Sequence, residues 1–310
     1  MSPAASLGEA LEPLRSDPSH AAVLLDIDGT LAPIVRHAAD AHVPEATRAL
    51  LIEIAKRYRL VGCVSGRRAA TARQIVAIGT IAYVGNHGGE LLRPGATRPE
   101  LDPELAAWSG RVREFAAHAL TGEHQRLRVR AEDKQAIAAF HWRGAPDEAA
   151  AQDAVREIAA RAEREGFAAH WGRKVLEVRP PVALDKGMGV TALLDGGDDR
   201  TAASVDRSEA SEEREASAGE GSAGEASAGG ESAGARRGSG GTLNAALYVG
   251  DDTTDLDAFR GLRALVRAGR LDRAVCVAVR SEEAPAELMA EADLTLDGPD
   301  GVRRLLEALL

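Results

Sequence analysis

The chain has 310 residues, 45% of them hydrophobic but only 3% aromatic, so a sizeable core is available and must be built from Ala, Val, Leu and Ile. Its formal net charge is −10, no basic patch stands out, and such a surface repels nucleic-acid backbones, so no nucleic acid is expected as partner. Cys63 and Cys276 share no metal-ligand spacing, and no apolar stretch reaches membrane-spanning length, which excludes a disulfide framework, a zinc site and a membrane partner as expectations.

The first twenty residues lack a basic start followed by an apolar core, so no signal peptide is expected, and the expected location is cytoplasmic. Residues 21–25 form a short apolar run that predicts a strand ending in Asp26-Ile27-Asp28-Gly29. A helix is predicted over 44–58, then a strand over 60–64 ending in Ser65-Gly66-Arg67. Residues 69–77 read as a helix and 81–84 as a strand ending in Gly85-Asn86-His87-Gly88-Gly89. Further strands are predicted over 246–249, which runs into Gly250-Asp251-Asp252, and over 275–279 and 294–296. Apolar runs with helices between them point to a parallel sheet covered on both faces, with ligands bound beyond the C-terminal strand ends.

Between about 101 and 180 the rhythm changes. Helices are predicted over 103–120 and 147–165, strands over 125–130 and 136–142, and a hairpin over 168–171 and 175–178. This pattern suggests a small α+β domain inserted in the first. The expected division is a core over 1–100 and 181–310 and a cap over 101–180. Residues 196–241 are rich in Gly, Ser, Ala and Glu, a composition that predicts a disordered insertion without a catalytic role.

Four motifs carry chemistry. In Asp26-Ile27-Asp28-Gly29-Thr30-Leu31, two carboxylates two residues apart at a strand end face one crevice. One can attack phosphorus while the other handles protons. A calcium loop starting at Asp26 fails, because Leu31 and His37 stand where Gly and Glu are required. Ser65-Gly66-Arg67 offers a hydroxyl and backbone amides to phosphate oxygens, although Ser-Gly is also a common loop start. Of 38 Lys and Arg side chains only Lys56, Lys134, Lys174 and Lys186 are lysines, and Lys186 opens an apolar helix where it can offset phosphate charge. A lone lysine is otherwise a solvated surface residue. Gly250-Asp251-Asp252-Thr253-Thr254-Asp255 is a hard oxygen site suited to Mg²⁺, or else a helix start decorated with acids.

In this order the four motifs resemble those of the haloacid dehalogenase (HAD) superfamily of phosphatases. That resemblance implies a HAD-like, Rossmannoid parallel sheet with helices on both faces and an inserted α+β cap. It makes Asp26 the nucleophile and Asp28 the acid/base, with Ser65 and Lys186 on the phosphate. It places Mg²⁺ on Asp26, Asp28 (through its backbone carbonyl) and Asp251, with Asp252 and Asp255 beside it. The stretches 86–90, 132–134, 141–143 and 172–180, together with Gly250–Phe259, are similar to trehalose-phosphate phosphatases. The similarity runs from about Leu11 onward, except for the insertion and for Leu256, where that family commonly has Glu. It implies hydrolysis of trehalose 6-phosphate, a sugar-phosphate ligand, and a functional link to a trehalose-phosphate synthase. Asn86, His87, Glu132, Lys134, Arg143 and Glu177 are then the substrate-binding candidates. The rival readings are a phosphatase of sucrose phosphate or mannosyl-phosphoglycerate, a phosphomutase, and a non-catalytic sugar-phosphate sensor.

Overall fold

The computed structural model describes residues 7–35, 40–172, 174–196, 242–281 and 284–310. The chain opens with Leu7–Arg15 (α1), Ala21–Leu25 (β1), Glu45–Arg57 (α2), Leu60–Val64 (β2), Ala69–Val76 (α3) and Ala82–Gly85 (β3). Two short strands follow, Glu90–Leu92 (β4) and Glu100–Leu101 (β5). The middle segment contains Pro103–Ala119 (α4), Gly122–Arg126 (α5), Arg130–Asp133 (β6), Ala138–His141 (β7), Glu148–Arg164 (α6), Ala168–Gly172 (β8) and Val175–Arg179 (β9). Last come Lys186–Gly196 (α7), Ala245–Gly250 (β10), Asp255–Arg267 (α8), Arg273–Arg280 (β11), Ala286–Glu291 (α9), Leu294–Asp297 (β12) and Gly298–Leu309 (α10).

Eight strands form one sheet in the order β12-β11-β10-β1-β2-β3-β4-β5. The first six are parallel, while β4 and β5 add an antiparallel edge. Every residue of β1, β2, β3 and β10 is buried, which explains their unbroken apolar runs. Side chains alternate between the two faces. Val23 and Leu25 of β1 pack with Leu11, Leu51, Ile54 and Leu305 from α1, α2 and α10. Leu24 faces the opposite way, toward Val190, Leu193, Phe259 and Leu262 of α7 and α8.

The second sheet has four antiparallel strands in the order β6-β7-β9-β8. Phe140, Leu176 and Val178 turn one of its faces toward Val112 and Phe115 of α4 and Val155 and Ile158 of α6, giving a separate core. Glu177 and His141 alternate onto the opposite face.

One predicted strand is corrected. Residues 125–130 begin as the end of α5, and the strand starts only at Arg130. Thr121 starts the helical turn, donating its N–H to His124 Nδ1 at 3.2 Å, while His124 Nε2 lies 3.0 Å from the Ala154 carbonyl. Local capping and a buried histidine therefore override the period-two pattern of the sequence. The expectation of disorder for 196–241 falls on residues outside those described, apart from Gly196, which ends α7. No helix among the described residues is long and apolar enough to cross a membrane.

Helices α7 and α8 meet through glycine. A Cβ on Gly187 would stand 2.4 Å from the Asp257 carbonyl oxygen, and one on Gly261 would stand 2.9 Å from the Gly187 Cα. Only bare backbone lets the helices approach this closely, and Lys186 sits on the first turn that this contact fixes. Gly187→Ala should force the helices apart and destabilise the protein by about 1–3 kcal/mol, the usual cost of overpacking, as read by urea denaturation. An unchanged midpoint would mean that the contact yields without cost.

Candidate active site

Asp26 is the first residue beyond β1, and its N–H donates to the Val249 carbonyl at 2.8 Å, which ties it to the end of β10. Ile27 then accepts from the N–H groups of Leu31 and Ala32 at 3.0 and 2.8 Å, turning the chain away from the sheet. Gly29 adopts φ +89°, and a Cβ there would lie 2.1 Å from Asp251 Oδ2. Glycine is thus required both for the turn and for the approach of Asp251.

Lys186 is 2% exposed and bridges two carboxylates, donating to Asp26 Oδ1 at 2.8 Å and to Asp255 Oδ1 at 2.7 Å. Asp255 is saturated. Its Oδ1 also accepts the Tyr248 hydroxyl at 2.7 Å, and its Oδ2 accepts the N–H groups of Asp251 and Asp252, both at 2.9 Å. Burial pushes the Lys186 ammonium down, but Asp255, Asp26 and Tyr248 outweigh it and hold the group charged well above its usual range. Burial raises Asp26 well above the ordinary carboxylate range in spite of Lys186. Burial, with Asp255 and Asp252 nearby, lifts Asp251 to about 7.

Asp26, Asp251 and Asp255 offer carboxylate oxygens that all lie within 4.8 Å of one another. Asp26 and Asp251 keep acceptor capacity, since among the described residues the Asp26 carboxylate takes a hydrogen bond only from Lys186 and that of Asp251 only from Thr30 Oγ1, at 3.3 Å. Two buried, under-compensated carboxylates with raised pKa values fit a hard divalent cation. Asp26 and Asp251 belong to the expected set, and Asp255 stands beside them as expected. The Asp252 side chain is 58% exposed, accepts from Thr254 N at 2.8 Å, lies 3.8 Å from Lys186, and stays outside this carboxylate group. Asp28, expected to contribute its backbone carbonyl, turns its side chain toward Arg67.

The parallel pairing Leu25↔Cys63 brings Ser65 to the same sheet end as Asp26. Ser65 is 2% exposed, and its Oγ accepts the Arg67 N–H at 3.2 Å. Arg67 forks onto Asp28, with Nε to Oδ2 at 2.6 Å and Nη2 to Oδ1 at 2.7 Å. The sequence singled out Arg67 only as a member of its motif. Its placement next to Ser65 at a strand end was the available signal.

The cap candidates divide into three groups. Lys134, Glu177, His87 and Asn86 meet where the small sheet touches the large one. Lys134 Nζ donates to Glu177 Oε1 at 2.7 Å and to the Gly66 carbonyl at 3.1 Å. Arg179 Nε donates to Glu177 Oε2 at 2.9 Å, and His87 Nε2 lies 3.5 Å from the same oxygen. Burial alone would raise Glu177, yet Lys134, His87 and Arg179 together hold it well below the usual range. Burial keeps His87 below its ordinary value. Asn86 Nδ2 donates to Glu90 Oε1 at 2.9 Å and to the Lys134 carbonyl at 3.1 Å. Glu132 stands on the edge strand β6 and pairs with His141 at 2.8 Å. Arg143 lies in the turn that follows β7, at the end away from Lys134, and its charge acts on Glu148.

This constellation can be set beside known proteins. A family model described as Trehalose-phosphatase matches residues 24–207. The trehalose-phosphate phosphatase of Mycobacterium marinum is 30% identical over 277 residues, covering 86% of this chain and 59% of that protein. The one from Mycolicibacterium paratuberculosis is 29% identical over 256 residues, covering 79% and 52%. The chain thus spans little more than half the length of these relatives. The C-terminal domain of Candida albicans trehalose-6-phosphate phosphatase superposes with a TM-score of 0.65 at 20% identity, covering 100% of this chain and 98% of that one. A haloacid dehalogenase-like hydrolase from Bacteroides thetaiotaomicron gives 0.54 at 13% identity, covering 94% and 100%. These likenesses speak for the fold, an α/β sheet of the HAD type. The family model covers the end of β1, all of β2 and the whole small sheet, and with it Asp26, Asp28, Ser65, Glu177 and Lys186, so the chain belongs to the trehalose-phosphatase family.

Proposed function

We propose that this protein is a Mg²⁺-dependent phosphatase that hydrolyses trehalose 6-phosphate to trehalose and phosphate. The observation that carries the reading is the buried Lys186, bonded to Asp26 and Asp255, beside two carboxylates whose charge is not fully compensated. In this reading an oxygen of Asp26 attacks phosphorus, the bond from phosphorus to the sugar oxygen breaks, and an aspartyl-phosphate forms. Asp28 as the acid gives its proton to the leaving oxygen. As carboxylate it then takes a proton from the water that attacks phosphorus, releasing phosphate and restoring Asp26. Ser65 and Lys186 hold phosphate oxygens. The Arg67 fork must loosen from Asp28 before Asp28 can act as an acid, and an incoming phosphate competes for that guanidinium. Mg²⁺, held by Asp26, the Asp28 backbone carbonyl and Asp251 with Asp252 at the rim, would offset charge on the phosphoryl oxygens. Asn86, His87, Glu132, Lys134 and Glu177 would receive sugar hydroxyls when the cap closes, with Arg143 farther out. A trehalose-phosphate synthase would supply the substrate.

Phosphate release across a panel of sugar phosphates tests the reading. Trehalose 6-phosphate should be the preferred substrate. Asp26→Asn should abolish turnover without unfolding, because an amide is no nucleophile. Chelation should stop the parent enzyme until Mg²⁺ returns. Good activity only on another sugar phosphate would end the trehalose reading, and a fully active Asn variant would remove Asp26 from its role.

Metal binding should depend on pH. Asp251 titrates near 7 without a cation, and only its carboxylate form can ligate. A proton is therefore displaced on binding, and affinity falls as pH falls. Mg²⁺ should bind the folded protein about tenfold more weakly at pH 6 than at pH 8, as read by calorimetry. A flat profile would place Asp251 outside the metal's shell.

Glu177 can be separated into two roles. Removing it leaves Lys134 and Arg179 without their anion, which should cost about 3–5 kcal/mol of stability in Glu177→Ala. If it also reads sugar, kcat/KM for trehalose 6-phosphate should drop by roughly one to two powers of ten more than for p-nitrophenyl phosphate, which carries no second sugar. An equal loss on both would confine Glu177 to holding the cap on the core.

A further inference from the structure

Two of the three tryptophans in the chain, Trp142 and Trp171, line one cavity of about 550 Å³. It opens on the side of the small sheet away from the catalytic residues. Along β8 and β9, Trp171 is paired with Leu176 and His170 with Glu177. Leu176 belongs to the core beneath α4 and α6, so Trp171 shares that face while Glu177 points the other way. Glu148, Gln152 and Arg156 of α6 complete the wall, with Lys174 from the β8–β9 turn.

The site is braced. Trp142 is 4% exposed and meets Trp171 edge to face, with ring centroids 5.9 Å apart at 73°. Trp171, so supported, is still 47% exposed. Glu148 is fixed from two sides, accepting the Gly144 N–H at 2.9 Å and Lys174 Nζ at 2.6 Å. The Gln152 amide and both indole N–H groups have no protein partner among the described residues. Glu148 pairs with Lys174 and also feels the Arg143 charge, and Arg156 pairs with Asp153. An exposed indole face, ringed by donors and acceptors whose charged members are already ion-paired, matches a ligand with one C–H-rich face and hydroxyls around its edge. The volume falls within the range of small-molecule sites.

We propose that this cavity is a second carbohydrate site, which takes a neutral pyranose ring stacked on Trp171 with its hydroxyls bonded to Glu148, Gln152 and Lys174. A free disaccharide and the end of a glucan share that chemistry. The proposal does not depend on the reaction at Asp26.

The test is NMR of the indole N–H signals in the ¹⁵N-labelled full chain, titrated with glucose, trehalose and a linear glucan. The Trp171 and Trp142 signals should shift saturably while Trp108 stays still. Binding should weaken by about tenfold or more in Trp171→Ala and in Gln152→Ala, a loss of about 1.4 kcal/mol or more. The Gln152 variant keeps both rings and stands in if the first is unstable. Phosphate release should be unchanged in both. Tightest binding of the glucan would identify a polymer end as the ligand, and tightest binding of trehalose a free sugar; either supports the site. The proposal is overturned if no sugar moves Trp171, if inorganic phosphate produces the same shifts, or if sedimentation shows that Trp171 instead seals a dimer that Trp171→Ala dissociates.

Discussion

One ammonium group decides how the acids of this site coexist. Asp26, Asp251 and Asp255 are buried at the C-terminal ends of β1 and β10, where three uncompensated negative charges would be prohibitive. Lys186 neutralises part of that charge directly. It also completes the shell of Asp255, which takes four donors and is left with little capacity for anything else. The remaining deficit falls on Asp26 and Asp251, one the expected nucleophile and the other beside it. The site is therefore short of positive charge at Asp26 and Asp251, and the shortage is set by where Lys186 stands. Its place is fixed in turn by the glycine contact between α7 and α8, so backbone packing and site electrostatics are a single constraint.

The link between the two sheets follows the same logic on a smaller scale. Glu177 on β9 collects Lys134, Arg179 and His87, and the same Lys134 ammonium reaches the Gly66 carbonyl between Ser65 and Arg67. One carboxylate thus joins the small sheet to the loop that carries a phosphate-binding candidate and the guanidinium clamped on Asp28. A polyhydroxylated ligand arriving at Glu177 would compete with two cations and an imidazole for two oxygens. The 65–67 loop is tied to Glu177 both through Lys134 and through His87, whose backbone N–H donates to the Ser65 carbonyl at 3.2 Å.

What the sequence revealed depended on whether the signal was local. Strands β1, β2, β3 and β10 were readable because both faces are buried and the apolar run is unbroken. The edge strands β4 and β5, three and two residues long, carry no such run. The strand expected over 125–130 failed because its alternation belongs to a capped turn held by His124 and Ala154, residues thirty positions apart. In Asp251-Asp252-Thr253-Thr254-Asp255 the acids look equivalent. Asp255 is the first residue of α8 and folds back under two preceding N–H groups, while Asp252 turns outward to Thr254. That choice is made by helix initiation and the neighbouring Lys186, not by spacing. The Arg67 fork on Asp28 and the Trp142–Trp171 pair join residues far apart in the chain, so no window of sequence contains them.

The small sheet uses its pleat to keep two chemistries apart. On β9 the buried charge of Glu177 is flanked by Leu176 and Val178, which belong to the hydrophobic core of α4 and α6. A one-residue slip of β9 would move Glu177 into that apolar core and expose Leu176 at the junction with the large sheet, reversing both faces at once. The register Ala139↔Glu177 is therefore specified twice, by hydrophobic burial on one side and by ion pairing on the other. On its other edge β9 pairs with β8, which brings Trp171 opposite Leu176 on the outer face while Glu177 meets Lys134 on the inner one. The ion-paired face and the tryptophan-lined face of this sheet thus rest on one strand whose alignment neither face can change alone.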